Sequence, residues 1–398
     1  MNEPLPGRAA VVIVGGGIQG LCCAFYLTTF GVRDIVVLDA GYWQGGASGR
    51  NGTLIRPGFA SVEWTRLFKL SCEEWGRLSA RLGENVMFTP RGYTIVAERP
   101  ETAEMLSRAA EVHRRLGVES FLVPDSRLKS LLPDINHKRV AAALHQPAGG
   151  VAPHHAAMKG LLSACRRRGV QVRYRTAVTG FERSGDRIAT ALVGDHRIEA
   201  GAVVVAAGAH NPAIAALLGV SLDGYGMRIE AMALEPIRPM IGPAIALIDS
   251  LAYFHQTARG EIVGGTEVPE RPRMSLRVDL PVMAAMAKIY LEMFPRLAEV
   301  RILRHWAGTL HVSLDFAPLL GPHPDVRDLW FSAGWSYGFA GAPAAGLLLA
   351  KAIATGEIDA RMKPFALDRF ARGRPIVESG IVLSKNQDEA GGAAGRVT

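Results

Sequence analysis

Three glycines and one aspartate carry the most chemistry in this sequence. Gly15, Gly17 and Gly20 follow a β-branched run, Val11 to Val14. They open a segment whose apolar residues (Ile18, Leu21, Cys22, Phe25) recur at helical spacing. A second apolar run, Ile35 to Leu38, ends on Asp39. Strand, GxGxxG, helix, strand and acid thus arrive in the order of a dinucleotide-binding unit. One glycine makes the tight turn, one lets the backbone approach a pyrophosphate, and one lets helix and strand pack closely. The helix start at Ile18 and Gln19 offers free N–H groups and a partial positive charge to phosphates. Asp39, followed by Ala40, is placed to accept hydrogen bonds from a ribose diol. The bland alternative is a glycine-rich turn in an ordinary α/β domain.

The elements that must position these residues extend along the whole chain. Residues 63–82, 101–116, 154–168 and 280–292 read as helices, and residues 86–98 as strands. Residues 171–206 read as strand, turn, strand, turn, strand, finishing on a buried run, Ala202 to Ala206, with a glycine stop at Gly208. Residues 225–268 are strand-rich and read as an antiparallel sheet. Residues 328–356 repeat the opening logic: a strand, a glycine-rich turn from Gly334, and a helix from Pro343. Nucleotide-type pieces at 8–60, 151–224 and 321–385 therefore alternate with insertions at 61–150 and 225–320. The tail, 386–398, has the composition of a flexible segment.

Composition sets outer bounds. At 398 residues, two domains are expected, and 48% hydrophobic with 21% charged residues suits a large core. No uninterrupted apolar run reaches the ~18 residues needed to span a bilayer. Arg8 ahead of an apolar stretch mimics a signal peptide, but that stretch is the first strand, and cleavage would destroy the nucleotide site. The expected location is cytoplasmic. Four cysteines form no CxxC and read as buried reduced thiols. No His/Cys/Asp cluster has metal-ligand spacing, so no metal is expected. The net charge of +8 comes without the aromatic–basic alternation of nucleic-acid binders. The run Arg166 to Arg168 sits at a helix end, where cations suit the dipole.

Four segments together resemble the D-amino-acid oxidase, glycine oxidase and sarcosine oxidase superfamily. They are the N-terminal fingerprint, SGRNGTLIRPG (48–58), AVVVAAGAHNP (202–212), and the run from Arg304 to Gly346 containing WAGTLHVSLDFAPLLG and FSAGWSYGFAGAP. The last looks most like the β subunit of heterotetrameric sarcosine oxidase and related opine and proline dehydrogenase subunits, and YFHQTARGEIVGG (253–265) supports the same subgroup. The resemblance implies an α/β fold: a Rossmann-type FAD-binding domain interleaved with an α+β substrate domain on a mostly antiparallel sheet. It implies non-covalent FAD, because the cysteine that links flavin in monomeric sarcosine oxidases is replaced here by Trp306.

The cofactor residues follow from the residues and from that resemblance. Ser48, Gly49, Arg50, Asn51 and Gly52 can wrap the ribityl–pyrophosphate region. Val178 is expected beside the adenine. Ala207 and Gly208 end a strand where backbone must approach a ligand, and Gly308 belongs to the C-terminal motif. Gly334, Tyr337, Gly338, Phe339 and Ala340 form a strand-to-helix turn whose helix N-terminus would point at the flavin N1/O2 edge and stabilise negative charge there.

On the substrate side, Arg56 stands where similar sarcosine oxidases place a carboxylate-binding arginine, and its planar fork suits a bidentate pair. Tyr253 and His255 share one strand face and could line the pocket, with His255 as hydrogen-bonder or base. The lysine that sarcosine oxidases carry in the glycine-rich turn is replaced here by Ala340 or its neighbours. Its loss points to slow oxygen use and an electron acceptor elsewhere. His154, in GGVAPHH, stands where the resembling β subunits attach FMN at a subunit interface. The implied activity is oxidation of a secondary or N-substituted amino acid (sarcosine, proline, hydroxyproline or an opine) by hydride transfer, as the catalytic subunit of a hetero-oligomer. A self-sufficient oxidase making H2O2 and a non-catalytic flavin-binding subunit remain alternatives.

Overall fold

β-Branched residues without polar interruption make β1 (Arg8–Val14) an enclosed strand, with Val11 to Val14 all buried. In the computed structural model, which describes residues 4–267 and 274–378, β1 pairs in parallel with β2 (Ile35–Leu38) and with His196–Val205. Gln171–Arg173 lies beyond β2, and Leu329–Ala333 beyond His196–Val205, both parallel. Leu319–Pro322 closes that edge in antiparallel fashion. Gly180–Ser184 and Arg187–Val193 form a meander on His196–Val205.

The helix α1 (Ile18–Thr29) carries the chain from β1 to β2. Its neighbour is the helix Gly338–Thr355, and Gly346 permits the close approach: a Cβ there would lie 2.6 Å from the Cys22 backbone. The helix α2 (Val62–Leu82) starts on Ser61, whose Oγ accepts from the Trp64 N–H. It lays Trp75 against Phe339, with ring centroids 5.2 Å apart. The C-terminal helix begins at Gly338, a turn earlier than Pro343 suggested, so the proline lies inside it. The cost of an interior proline is a lost helical hydrogen bond. Ser71 Oγ and Trp75 Nε1 of α2 donate to the Ala340 carbonyl at 2.6 and 3.0 Å, holding that turn from outside.

The second sheet draws on both insertions. Tyr93–Ala97, Ala142–Gln146 and Phe121–Leu122 come from the first. Tyr225–Leu234, Ala244–Leu247, Ala252–Gln256, Ile262–Glu267 and Ile302–Val312 come from the second. Every pairing is antiparallel except Ala244–Leu247 beside Tyr93–Ala97, the seam between the two insertions. One face packs on the helix Leu280–Met293, with Phe254 and Tyr290 rings 4.9 Å apart. The other looks towards the carboxyl ends of β1 and its parallel neighbours, where open α/β sheets bind ligands.

The strand expected over 86–98 shortens to Tyr93–Ala97. Met87 and Gly92 hold positive φ, and Pro90 lies between them, so the ladder starts only after Gly92. Among the described residues one helix, Gly338–Thr355, is long and apolar enough to cross a membrane, but two-thirds of it is buried in the core. The expected flexible tail lies outside the described residues.

Candidate active site

A single cavity runs from Asp39, along both glycine-rich turns, to Arg56 at the second sheet. At one end, Asp39 Oδ2 accepts the Gly16 N–H and Oδ1 the Gly41 N–H, each at 2.7 Å. Each oxygen keeps a lone pair for a further donor. Gly15, Gly17, Ile18 and Gln19 line the wall. The glycines are steric necessities: a Cβ on Gly15 would lie 2.2 Å from the Ala206 oxygen, and one on Gly20 would lie 1.9 Å from the Gly15 oxygen. Gly20 thus serves helix–strand packing and is not in the wall. The Ile18 N–H is not free as expected, since Ser48 Oγ accepts it at 2.9 Å.

Residues 45–53 form the side of the cavity. Asn51 Nδ2 donates to the Ser48 carbonyl at 2.6 Å, and Asn51 Oδ1 accepts the Thr53 N–H at 2.8 Å. Arg50 spends its guanidinium on the Gly45 carbonyl and the Tyr42 hydroxyl, at 3.1 and 3.2 Å. Trp306 Nε1 donates to the Arg50 carbonyl at 2.9 Å. Thr53 sits at φ 63, a conformation costing a β-branched residue on the order of 1–3 kcal/mol. Its Oγ1 lies 3.1 Å from His255 Nε2.

At the other end Arg56, 2% exposed, lies in an aromatic box. Its guanidinium carbon is 3.7 Å from the Phe59 ring centre, 4.8 Å from Tyr337 and 5.5 Å from Tyr93. Tyr93, Ile95, Ala246, Ile248, Ala252 and Tyr253 continue this wall. Burial raises the Tyr253 and Tyr93 hydroxyls above the ordinary tyrosine range, so both stay neutral donors. The remaining basic side chains of the wall, among the described residues, are Arg50, His210 and His311. Burial lowers His311 to about 4. Its Nδ1 accepts the Gly334 N–H at 3.3 Å, fixing the proton on Nε2.

Comparison with known proteins decides the family. Residues 10–352 match the family model described as FAD dependent oxidoreductase. The chain belongs to this family. It is 29% identical to the sarcosine oxidase subunit beta of an Arthrobacter species, over 93% of each chain. It is 28% identical to that of Rhodobacter capsulatus, over 94% of this chain and 91% of the relative. Among solved structures, L-proline dehydrogenase from P. horikoshii superposes with a TM-score of 0.89 at 27% identity, covering 94% of this chain and all of that one. Glycine oxidase from Geobacillus kaustophilus shares the fold at 21% identity and a TM-score of 0.81, over 92% and 99%.

The cavity of this FAD-dependent oxidoreductase fits its cofactor. Neither α1 nor the Gly338–Thr355 helix has a side-chain cap from its own first residues, so their dipoles and remaining amides face the cavity. Gly52 is pressed by Tyr253, where a Cβ would lie 2.1 Å from Cε2, and Gly308 keeps the wall thin beside Arg50. Ala207, Gly208 (φ 58), Tyr337, Gly338, Phe339 and Ala340 all line it.

Several expected residues stand elsewhere. Ala40 and Gly49 are outside the wall; Gly49 lies against the Gln44 carbonyl. Gly334, at φ 68, shapes the turn from behind. Val178 is not in a strand and is packed in the core with Val14 and Leu38. Tyr174 takes the cavity position, its hydroxyl donating to the Gly16 carbonyl at 2.9 Å. His255 meets Thr53 and is not in the cavity wall, and burial with the Arg91 charge lowers it to about 4. The enclosed imidazole lies against Thr53 and is not part of the cavity wall. His154 begins the helix His154–Arg167 outside the wall, half-buried, and burial lowers its pKa. Its neighbour His155 packs on Trp43 at 5.0 Å. Tyr93, which helps complete the Arg56 box, had no sequence signal because it reaches Arg56 through tertiary packing, and Phe59 lies only three residues on but carries no motif.

Proposed function

We propose that this enzyme oxidises the C–N bond of a secondary or N-methylated amino acid bearing one carboxylate. The observation that carries this is the aromatic box that holds the buried Arg56 guanidinium at the substrate end of the cavity. A planar guanidinium held between rings pairs with a planar carboxylate in one orientation. The rings of Phe59, Tyr93 and Tyr337 exclude water and strengthen that pair. The apolar wall of Ile95, Ala246, Ile248 and Ala252 accepts an alkyl substituent on nitrogen.

FAD, when bound, supplies the hydride acceptor. The chain's residues do the rest. Arg56 anchors the carboxylate, and the tyrosine wall sets the direction of the substrate C–H bond. As the hydride leaves carbon, the nitrogen lone pair closes a C=N bond, and water later cleaves that imine to a carbonyl compound and an amine. No general base is needed when the amine enters neutral, which agrees with the place of His255 outside the cavity wall. The uncapped N-terminus of the Gly338–Thr355 helix would stabilise the negative charge that arrives with the hydride.

Support for the substrate class comes from the relatives: the two sarcosine oxidase subunits, rat dimethylglycine dehydrogenase at 22% identity, and the proline dehydrogenase structure. The relatives named as subunits also support a place in a hetero-oligomer. Among the described wall residues there is no lysine, and Ala340 occupies the turn. This favours a dehydrogenase that hands electrons to a partner over an oxidase that uses O2. The test is anaerobic mixing of the purified protein with sarcosine, dimethylglycine, proline and an opine while flavin absorbance is followed. Bleaching by one of them is expected; a flavin that stays oxidised with all of them removes the enzymatic reading in this form.

A further inference from the structure

The chain beyond the Gly338–Thr355 helix returns to the substrate end of the cavity, and a buried ion pair brings it there. Arg369, 2% exposed, grips Asp315 with two prongs: Nε to Oδ2 at 2.9 Å and Nη2 to Oδ1 at 2.6 Å. Asp315 Oδ2 also accepts the Ile376 N–H at 2.8 Å. Two residues on, Glu378 is fully buried. Its Oε2 accepts the Ser61 N–H at 2.7 Å, and its Oε1 accepts the Ala60 N–H at 2.5 Å. The carboxylate therefore sits on the start of α2, where unpaired amides and the helix dipole favour an anion.

Ala60 and Ser61 adjoin Phe59, the ring beneath the Arg56 guanidinium. Phe59 is pinned on its other side. Thr65 Oγ1 accepts its N–H at 3.1 Å and donates to its carbonyl at 3.0 Å, and His113 Nε2 lies 2.8 Å from the same carbonyl. Burial holds His113 down to about 4, so it stays a neutral donor to that carbonyl. The segment beneath Arg56 is thus held by Thr65, by His113, by Gln146 on both backbone groups of Gly58, and by one carboxylate that arrives from 317 residues away. Burying a carboxylate is costly unless its partners repay it, and here both oxygens are used on one turn.

We propose that Glu378 is a positioning residue for substrate binding. It locks the Phe59–Ser61 turn so that Arg56 presents its guanidinium to the substrate carboxylate, which makes the C-terminal segment part of the substrate site. This rests on the reading of Arg56 as the carboxylate binder. The probe is propionate, a carboxylate without an amine, titrated into the full-length FAD-loaded protein and read by the flavin absorbance change. Glu378→Ala is expected to weaken propionate binding at least fivefold with FAD content unchanged. Glu378→Asp, one methylene too short to reach both amides, is expected to weaken it about threefold, and it serves alone if the alanine variant does not fold. In an Arg56→Ala background the Glu378 substitutions are expected to add nothing. A Glu378→Asp protein that melts lower but binds propionate like its parent would overturn the proposal, since that is a structural role only. An Arg56→Ala protein that binds propionate normally would instead overturn the reading of Arg56.

Discussion

Gln19 Nε2 donates to the Gly338 carbonyl at 2.6 Å, so one side chain ties together two helix starts separated by 319 residues. Its Oε1 accepts from Ser332 Oγ at 2.8 Å, and Ser332 Oγ accepts from Trp335 Nε1 at 2.9 Å. Both ends of the amide are used, and the two partners flank the second glycine-rich turn, Ser332 on its strand and Gly338 at the helix start. The spacing between the two cofactor-facing turns is therefore set by a hydrogen-bonded strut and not by packing alone.

Breaking that strut should cost cofactor before it costs fold. Gln19→Leu keeps the side-chain volume and leaves the buried Ser332 hydroxyl without its acceptor, a penalty of about 1–3 kcal/mol. FAD affinity, measured by flavin fluorescence titration, is expected to fall about tenfold or more. Unchanged affinity would show that the turns are held apart by other contacts.

Arg56 should separate substrate from cofactor. Arg56→Lys keeps the charge but loses the planar fork and its stacking on Phe59 and Tyr337. The expected result is a substrate KM raised at least tenfold with FAD content intact. A variant that loses FAD in step with substrate would place Arg56 in the flavin site.

The first turn gives a steric prediction. Gly15→Ala drives a methyl to within 2.2 Å of the Ala206 oxygen, and Gly15 holds φ 114, which alanine resists. The protein should emerge colourless after purification, a result read directly from its visible spectrum.

Acid should destabilise the fold through its buried histidines. His113, His255 and His311 titrate at about 4 when folded, against 6.5 for the free side chain. Between those values the unfolded chain binds more protons, so stability is full above pH 6.5 and falls as pH drops towards 4. Each histidine contributes on the order of 3 kcal/mol at most. Thermal melts from pH 7.5 to 4.5 test this, and His311→Asn should flatten part of the slope.

Electron disposal can be checked on the isolated chain. With substrate present, reduction of an artificial dye is expected to exceed peroxide formation by at least tenfold, because no lysine stands among the described wall residues near the turn at Ala340. Peroxide production matching dye reduction would favour the oxidase alternative.

Much of the cofactor side was legible locally. Gly15, Gly17, Gly20 and Asp39 lie within one β–α–β unit, so their spacing is readable locally, although the contact that excludes a side chain at Gly15 is with Ala206. The same holds for Gly338 to Ala340 in the second turn. The misplacements have the opposite origin. The expectation for Val178 comes from the resemblance and that for His255 from strand alternation, but whether a side chain meets a cavity or a second layer depends on what packs against it. Tyr253 and Tyr174 line the wall, and His255 and Val178 do not.

By itself the sequence determined that two glycine-rich strand-to-helix turns would form and that an arginine would follow the Ser48–Gly52 loop. Hydrogen-bond periodicity and glycine sterics act over a few residues, so a linear chain records them. Tertiary structure alone decided that Phe59, Tyr93 and Tyr337 enclose Arg56, that Gln19 reaches Gly338, and that Glu378 seats the turn beneath the arginine. Apart from Phe59, three residues from Arg56, those contacts join segments tens to hundreds of residues apart, and only the closing of two sheets over one cavity brings them within hydrogen-bonding or stacking distance.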